Sequence, residues 1–156
     1  MEQRTQRYCT FYVAGELFGL PVGRVQELLR AQKTTYVPLA PSWIHGLLNL
    51  RGQVVAVINL RQRFGLPALC TNEVPMFVVV HVNSELVALV ADNVGDVIDV
   101  DGHSFEPLPC TLRSNRQLFD VSCKLETRLM TVLNLDHIAE SSEVRRGDAA
   151  LSAGAA

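Results

Sequence analysis

Val13-Ala14-Gly15-Glu16-Leu17-Phe18-Gly19-Leu20 and, later in the chain, Val82-Asn83-Ser84-Glu85-Leu86-Val87-Ala88-Leu89 are two versions of one pattern. In each, an alternating apolar run enters a polar pair, Ala14-Gly15 or Asn83-Ser84, and leaves as a second alternating run, which is the signature of a tight β-hairpin. The same offset sets Val25 and Leu28 opposite Val94 and Val97. Further on, Val57-Ile58-Asn59-Leu60 is answered by Val132-Leu133-Asn134-Leu135, each followed by a short polar segment with room for a helical turn. The chain is therefore duplicated: each half opens on a hairpin and closes on V-[IL]-N-L.

A half this short, made of strands and turns, suits a small curled barrel that leaves few free sheet edges. The expectation is one all-β domain with short helices over residues 8–139, its first barrel at about 8–66 and its second at about 74–139. Pro67 to Asn72 is the expected connection, and the small, polar, alanine-rich Ser141 to Ala156 the expected mobile tail. Pro21 suits the first turn of a helix and puts Val22, Val25 and Leu29 on one face, so Pro21 to Leu29 reads as a short helix or turn. Pro38 and Pro41 bracket a loop. Ile44 to Leu50 and Val54 to Leu60 read as strands joined through Arg51-Gly52-Gln53, Val94 to Val100 reads as another, and Pro107 to Lys124 has no clear period.

The chain has 156 residues, 48% hydrophobic but only 6% aromatic, so the interior must be built from Val, Leu and Ile, which favour strands. Its formal charge of -2 gives no general pull toward nucleic acid or anionic membrane. Cys9, Cys70, Cys110 and Cys123 stand far apart with no C-x-x-C pair, which predicts reduced thiols in a cytosolic protein. The polar Met1 to Arg7 does not read as a signal peptide, and no apolar stretch is long enough for a membrane helix.

The residues do not converge on chemistry. His45, His81, His103 and His137 occur singly, without metal-ligand spacing, and the glycines form no phosphate-cradling loop. Asp96, Asp99 and Asp101-Gly102 contain a piece of a calcium loop but lack its closing acid, so they predict a solvated turn. Arg51, Arg61 and Arg63 could line a phosphate patch, which would make this a nucleic-acid-binding small barrel, yet no aromatic platform accompanies them. A hydrolase would have to gather a nucleophile and base from scattered Ser, Cys and His. What stands out is Asn49-Leu50-Arg51-Gly52, a polar tip between two apolar strands, where glycine permits a tight turn and arginine offers a planar fork to carboxylates or carbonyls.

Gly15-Glu16-Leu17-Phe18-Gly19-Leu20, Val25-Gln26-Glu27, Val37-Pro38-Leu39-Ala40-Pro41, Ile44-His45-Gly46 and Asn49-Leu50-Arg51-Gly52, in this order and spacing, closely resemble the CheW family. Val54 to Leu66 is similar to the family's next strand and short helix, the likeness continues over Phe77 to Val100, and Leu129 to Ile138 is similar to its closing strand and helix. Between Pro107 and Lys124 the chain departs from the family pattern, lacking a glycine-bearing segment. The resemblance implies two SH3-like five-stranded β-barrels around a shared hydrophobic core, no catalysis and no cofactor or metal. It implies a cytoplasmic adaptor at receptor arrays on the inner face of the membrane. Its partners would be the cytoplasmic tip of a methyl-accepting chemoreceptor, the regulatory domain of a CheA-type histidine kinase, and other CheW-like domains. A scaffold of a pilus or surface-sensing pathway fits the same resemblance. By matching motif positions, Val25, Glu27, Asn49, Leu50, Arg51 and Gly52 are the implied partner-binding residues, Val25 by apolar contact with a receptor helix, Glu27 and Arg51 by charge-assisted bonds.

Overall fold

Both hairpins form where the repeat predicts them. The computed structural model describes residues 5–67, 73–108 and 117–139. In it β1 (Gln6–Val13) turns into β2 (Glu16–Pro21), and β6 (Met76–Val82) into β7 (Glu85–Ala91). The turn residues take left-handed backbone angles, φ 53° and 78° at Ala14 and Gly15, 48° and 69° at Asn83 and Ser84. Two consecutive positive φ values match the twist of the flanking strands, which is why such two-residue loops close hairpins.

The remaining strands are β3 (Val25–Arg30), β4 (Ile44–Leu50), β5 (Gln53–Asn59), β8 (Asn93–Val100), β9 (Phe105–Glu106), β10 (Phe119–Lys124) and β11 (Leu129–Leu133). They form a five-stranded sheet in the order β3-β6-β7-β5-β4 and a six-stranded sheet in the order β8-β1-β2-β11-β10-β9. Apart from the two-residue β9, the two orders are the same order repeated. Register repeats too: Val25 faces Val80 as Val94 faces Phe11, and Ala56 runs parallel to Val87 as Thr131 does to Phe18.

The expected division at residues 8–66 and 74–139 does not describe these sheets. Each hairpin is exchanged: β1-β2 of the first half completes the sheet of the second, and β6-β7 of the second completes the sheet of the first. Pro21, without an amide hydrogen to continue the ladder, ends β2, and a 3-10 turn at Val22–Arg24 carries the chain across into β3. Of the short helix or turn expected over Pro21 to Leu29, only that turn forms, and a strand follows it. Val25–Arg30 is an edge strand in which Val25, Glu27 and Leu29 are half-buried and Gln26, Leu28 and Arg30 point outward, so a period of two prevails over the helical one.

The V-[IL]-N-L echo also has a physical cause. Asn59 precedes the short helix α1 (Leu60–Arg63), and its Oδ1 accepts the Gln62 N–H; Asn134 precedes α2 (Leu135–Ala139), and its Oδ1 accepts the His137 N–H. Each asparagine is an N-cap.

Apolar side chains fill three layers. One cluster lies inside the five-stranded sheet (Leu48, Leu50, Val55, Val57, Phe77, Val79, Ala88). Another fills the six-stranded sheet, among them Tyr8, Leu17, Cys123 and Met130. The largest is shared, drawing Phe11, Phe18 and Leu20 from one sheet and Val78, Val80 and Leu89 from the other. Phe18 is its hub, with ring centroids 6.0 Å from Phe11, 5.2 Å from Phe64 and 6.0 Å from Phe119. The stretch from Pro107 to Lys124 contains a strand after all, β10, anchored by buried Phe119. Cys9 and Cys123 are buried free thiols. Cys70, Cys110, most of the expected connection and the expected tail lie outside the described residues.

Candidate functional site

At the tip between β4 and β5, Arg51 and Gly52 adopt φ 51° and 85°, so the turn is built like those of the two long hairpins. Asn49 locks it, its Oδ1 accepting the Gly52 N–H at 3.0 Å. Leu50 is buried inside the five-stranded sheet, so its side chain anchors the tip from within instead of facing a partner. Val54, two residues past the turn and in register with Asn49, is 65% exposed.

Arg51 reaches back across the sheet edge to β3. Its two terminal nitrogens donate to Glu27 Oε1 at 2.7 Å and Oε2 at 2.8 Å, a parallel two-point pair. The side chain of Glu27 is 20% exposed and that of Arg51 is 70%. The hydrogen bond from Arg51 is the chief cause that holds the Glu27 carboxyl below its ordinary value, with partial desolvation opposing and the guanidinium charge adding to it. The same pair raises Arg51.

A bulge makes this contact possible. Along β3 the register steps from Val25 opposite Val80 to Glu27 opposite Val79, leaving Gln26 as the extra residue. Val80 belongs to the shared core and Val79 to the interior of the five-stranded sheet, so the step turns Val25 toward one and Glu27 toward the other. Val25 is accordingly half-buried against the shared core. The structure thus brings together Glu27, Arg51, Asn49 and Gly52, and sends Val25 and Leu50 to separate cores.

The seam between β3 and β4 is closed further along by Thr35, whose backbone exchanges two hydrogen bonds of 2.8 Å with Leu47. Gly46 makes room for it: φ is 157°, and a Cβ there would stand 2.7 Å from the Thr35 carbonyl oxygen. The loop beyond presents Tyr36 at 78% and Leu39 at 92% exposure. Sequence reading missed these apolar residues and Val54; the one available signal was that Tyr36 and Leu39 flank Pro38, whose ring bars the segment from regular pairing.

The three arginines of the suspected phosphate patch have other work. Arg51 holds Glu27, Arg61 forks onto Asp92, and Arg63 lies 4.6 Å over the Trp43 ring while donating to the His137 and Ile138 carbonyls. Asp96 and Asp99, offered as a piece of calcium loop, sit on strand β8, and Asp99 pairs with Arg7. Among the described residues no group of three or more His, Cys, Asp or Glu is placed to hold a metal ion, and no helix is long and apolar enough to cross a membrane.

Comparison with known proteins places this architecture. The family model described as CheW-like domain matches residues 7–143. Chemotaxis protein CheW of Helicobacter pylori is 30% identical over 132 residues, covering 85% of this chain and 80% of that protein. Chemotaxis protein CheW of Bacillus subtilis is 30% identical over 137 residues, covering 86% and 87%. The crystal structure of scaffolding protein TtCheW from Thermoanaerobacter tengcongensis superposes with a TM-score of 0.83 at 26% identity, over 90% of this chain and 96% of that one.

Proposed function

Since this chain belongs to the CheW-like domain family, a family of non-catalytic scaffolds, we propose that it couples the cytoplasmic tip of a methyl-accepting chemoreceptor to the regulatory domain of a CheA-type histidine kinase. It is a chemotaxis adaptor with two SH3-like subdomains, and it makes and breaks no covalent bonds. Its place of work in this reading is the receptor array on the inner face of the membrane, where other CheW-like domains are further partners.

The observation that carries the reading is the Arg51 guanidinium, oriented by Glu27 yet mostly open to solvent. Arginine has five N–H donors in a rigid plane, and the Glu27 carboxylate takes only two of them. The outward donors are pre-aimed, so a carboxylate or carbonyl on a partner helix would bind without first ordering a long side chain. Val54 supplies apolar surface next to it. Asn49, Gly52 and Leu50 act by fixing the tip, and Val25 by fixing the root of β3.

Titration of the full chain against a soluble receptor-tip fragment and, separately, against the kinase regulatory domain tests this. Arg51→Ala should weaken at least one of the two by about tenfold or more, the effect of losing a central arginine anchor. Unchanged affinity for both would remove Arg51 from the site.

A further inference from the structure

The internal duplication pairs two ion contacts that no sequence motif marks, and their inequality says how the two sheets are joined. Arg61, second residue of α1, donates from Nε to Asp92 Oδ1 at 3.0 Å and from a terminal nitrogen to Oδ2 at 2.6 Å. Asp92 lies at the crossing from β7 into β8, and its Oδ2 also takes the N–H of Ala14 at the β1-β2 turn, 2.8 Å away. The Asp92 N–H is bonded to the Tyr12 carbonyl at 2.9 Å. One carboxylate thus ties α1, the crossover and the opposite hairpin.

The repeat places Asp136 of α2 where α1 has Arg61, and His81 where β1 has Tyr12. At that second position the charges are reversed. Arg24, at the crossing from β2 into β3, approaches Asp136 Oδ1 through one terminal nitrogen at 3.4 Å and gives its Nε to the His81 carbonyl at 3.0 Å. The two ends of the joint therefore carry the same device, built from opposite halves of the chain.

They are not equally strong. Arg61 and Asp92 are 17% and 20% exposed, and form a two-point pair supported by a backbone amide. Arg24 and Asp136 are 39% and 56% exposed, with a single long contact. Exposed single-point pairs contribute little because water screens them and two side chains must be held still; shielded forks are stronger. Arg24 and Asp136 also line an open, mostly polar surface pocket of about 210 Å³ with Tyr8, Asp120 and Asn134, so water reaches that end of the joint. Water there competes for the hydrogen bonds of the pair and screens its charges, which lowers the resistance to separation.

We propose that the joint between the two sheets is a one-sided hinge, pinned where Arg61 grips Asp92 and able to part where Arg24 meets Asp136. Small openings of the β6-β7 turn and α2 away from the 3-10 turn would change the angle between the sheets while α1, the crossover and the β1-β2 turn stay together. For a scaffold this provides one soft direction, independent of whether Arg51 touches a partner.

Amide hydrogen exchange of the full chain, read by mass spectrometry, tests it. In the wild type, peptides spanning the β6-β7 turn and α2 should exchange about tenfold faster than those spanning the β1-β2 turn and α1, as local openings differ in free energy. Arg24→Gln should speed the first set about threefold or more and leave the second unchanged, whereas Arg61→Lys, which keeps the charge but loses the fork, should speed both sets. Equal protection at the two ends of the wild type, or an Arg24→Gln effect that spreads to the β1-β2 turn, would overturn the proposal.

Discussion

Glu27 and Arg51 meet in a parallel fork, 2.7 and 2.8 Å long, although one sits on an edge strand and the other at the turn between two later strands. The pair spans the place where the rolled five-stranded sheet would otherwise gape. It also explains why an arginine occupies a left-handed turn position, φ 51°, that costs a non-glycine residue about 1 kcal/mol. Glycine would suit the backbone better. The guanidinium is retained there at a cost in backbone energy, which fits a role toward partners more readily than a role in folding.

The first prediction separates those roles. Arg51→Gly should change the melting temperature little, because the relaxed turn offsets the lost, largely solvent-screened fork, while affinity for the receptor-tip fragment or kinase domain falls about tenfold. Glu27→Gln should fall in the same direction by a smaller factor, and the double variant should be no weaker than Arg51→Gly alone, since Glu27 acts by aiming Arg51. A titration series in which the two losses simply multiply would mean that Glu27 contacts the partner on its own.

A second prediction concerns the shared core. Phe18 touches Phe11, Phe64 and Phe119, and so joins β1, β2, the end of α1 and β10. Phe18→Ala should cost about 3–5 kcal/mol in urea unfolding, the usual result of emptying a buried aromatic site. Leu39→Ala, at a residue 92% exposed, should change stability by no more than about 0.5 kcal/mol. If Phe18→Ala is as mild as Leu39→Ala, the two sheets do not share a core.

The contrast between what sequence reading reached and what it missed follows from range. Hairpins, the V-[IL]-N-L echo and the Asn49-Gly52 tip are local, and each was legible because its residues stand within a few positions of one another; that the asparagines of the echo are N-caps came only with the fold. The exchange of β1-β2 with β6-β7 was not, since a twofold repeat is equally compatible with each half closing on itself and with halves that trade hairpins. Nor was the bulge at Gln26 visible in a strand of six residues, and that one inserted residue sets Val25 against the shared core and Glu27 opposite Val79, within reach of Arg51. Motif likeness found Glu27 and Arg51 as residues of interest; only the fold shows that they are each other's partners.

The third prediction is a dependence on acid. Burial pushes the Asp92 carboxyl up, but the Arg61 hydrogen bond, the Ala14 amide and the Arg61 charge together outweigh it and hold the group below its ordinary value of 3.8. A carboxyl lowered on folding contributes stability above its unfolded value and loses it as pH falls through the folded one. Asp92→Asn should therefore be destabilising by about 1–2 kcal/mol at pH 7, and the gap to wild type should narrow as pH falls below the ordinary carboxyl value of 3.8. Thermal melts of both proteins across that range check it; a gap that stays constant down to pH 2 would mean that the charge on Asp92 contributes nothing.

The last prediction tests how the edge of the five-stranded sheet is sealed. At Gly46 the backbone stands at φ 157° in a bulge of β4 opposite Ile58 and Val57, with the Thr35 carbonyl crossing directly over it. Alanine there has to push away the carbonyl that accepts the Leu47 amide, so the Thr35 bridge and the Cβ compete for one space. Gly46→Ala should cost about 2–4 kcal/mol, combining backbone strain with a lost pair of hydrogen bonds. Gly23→Ala, where an added Cβ meets nothing within 4 Å, is the matched control and should stay within about 0.5 kcal/mol. Because the Thr35 bridge and the Glu27–Arg51 fork close the same seam, Gly46→Ala should also loosen the tip and weaken partner binding in proportion to its effect on exchange at Leu47. A destabilised Gly46→Ala protein that nevertheless binds with wild-type affinity would show that the tip is held by the fork alone.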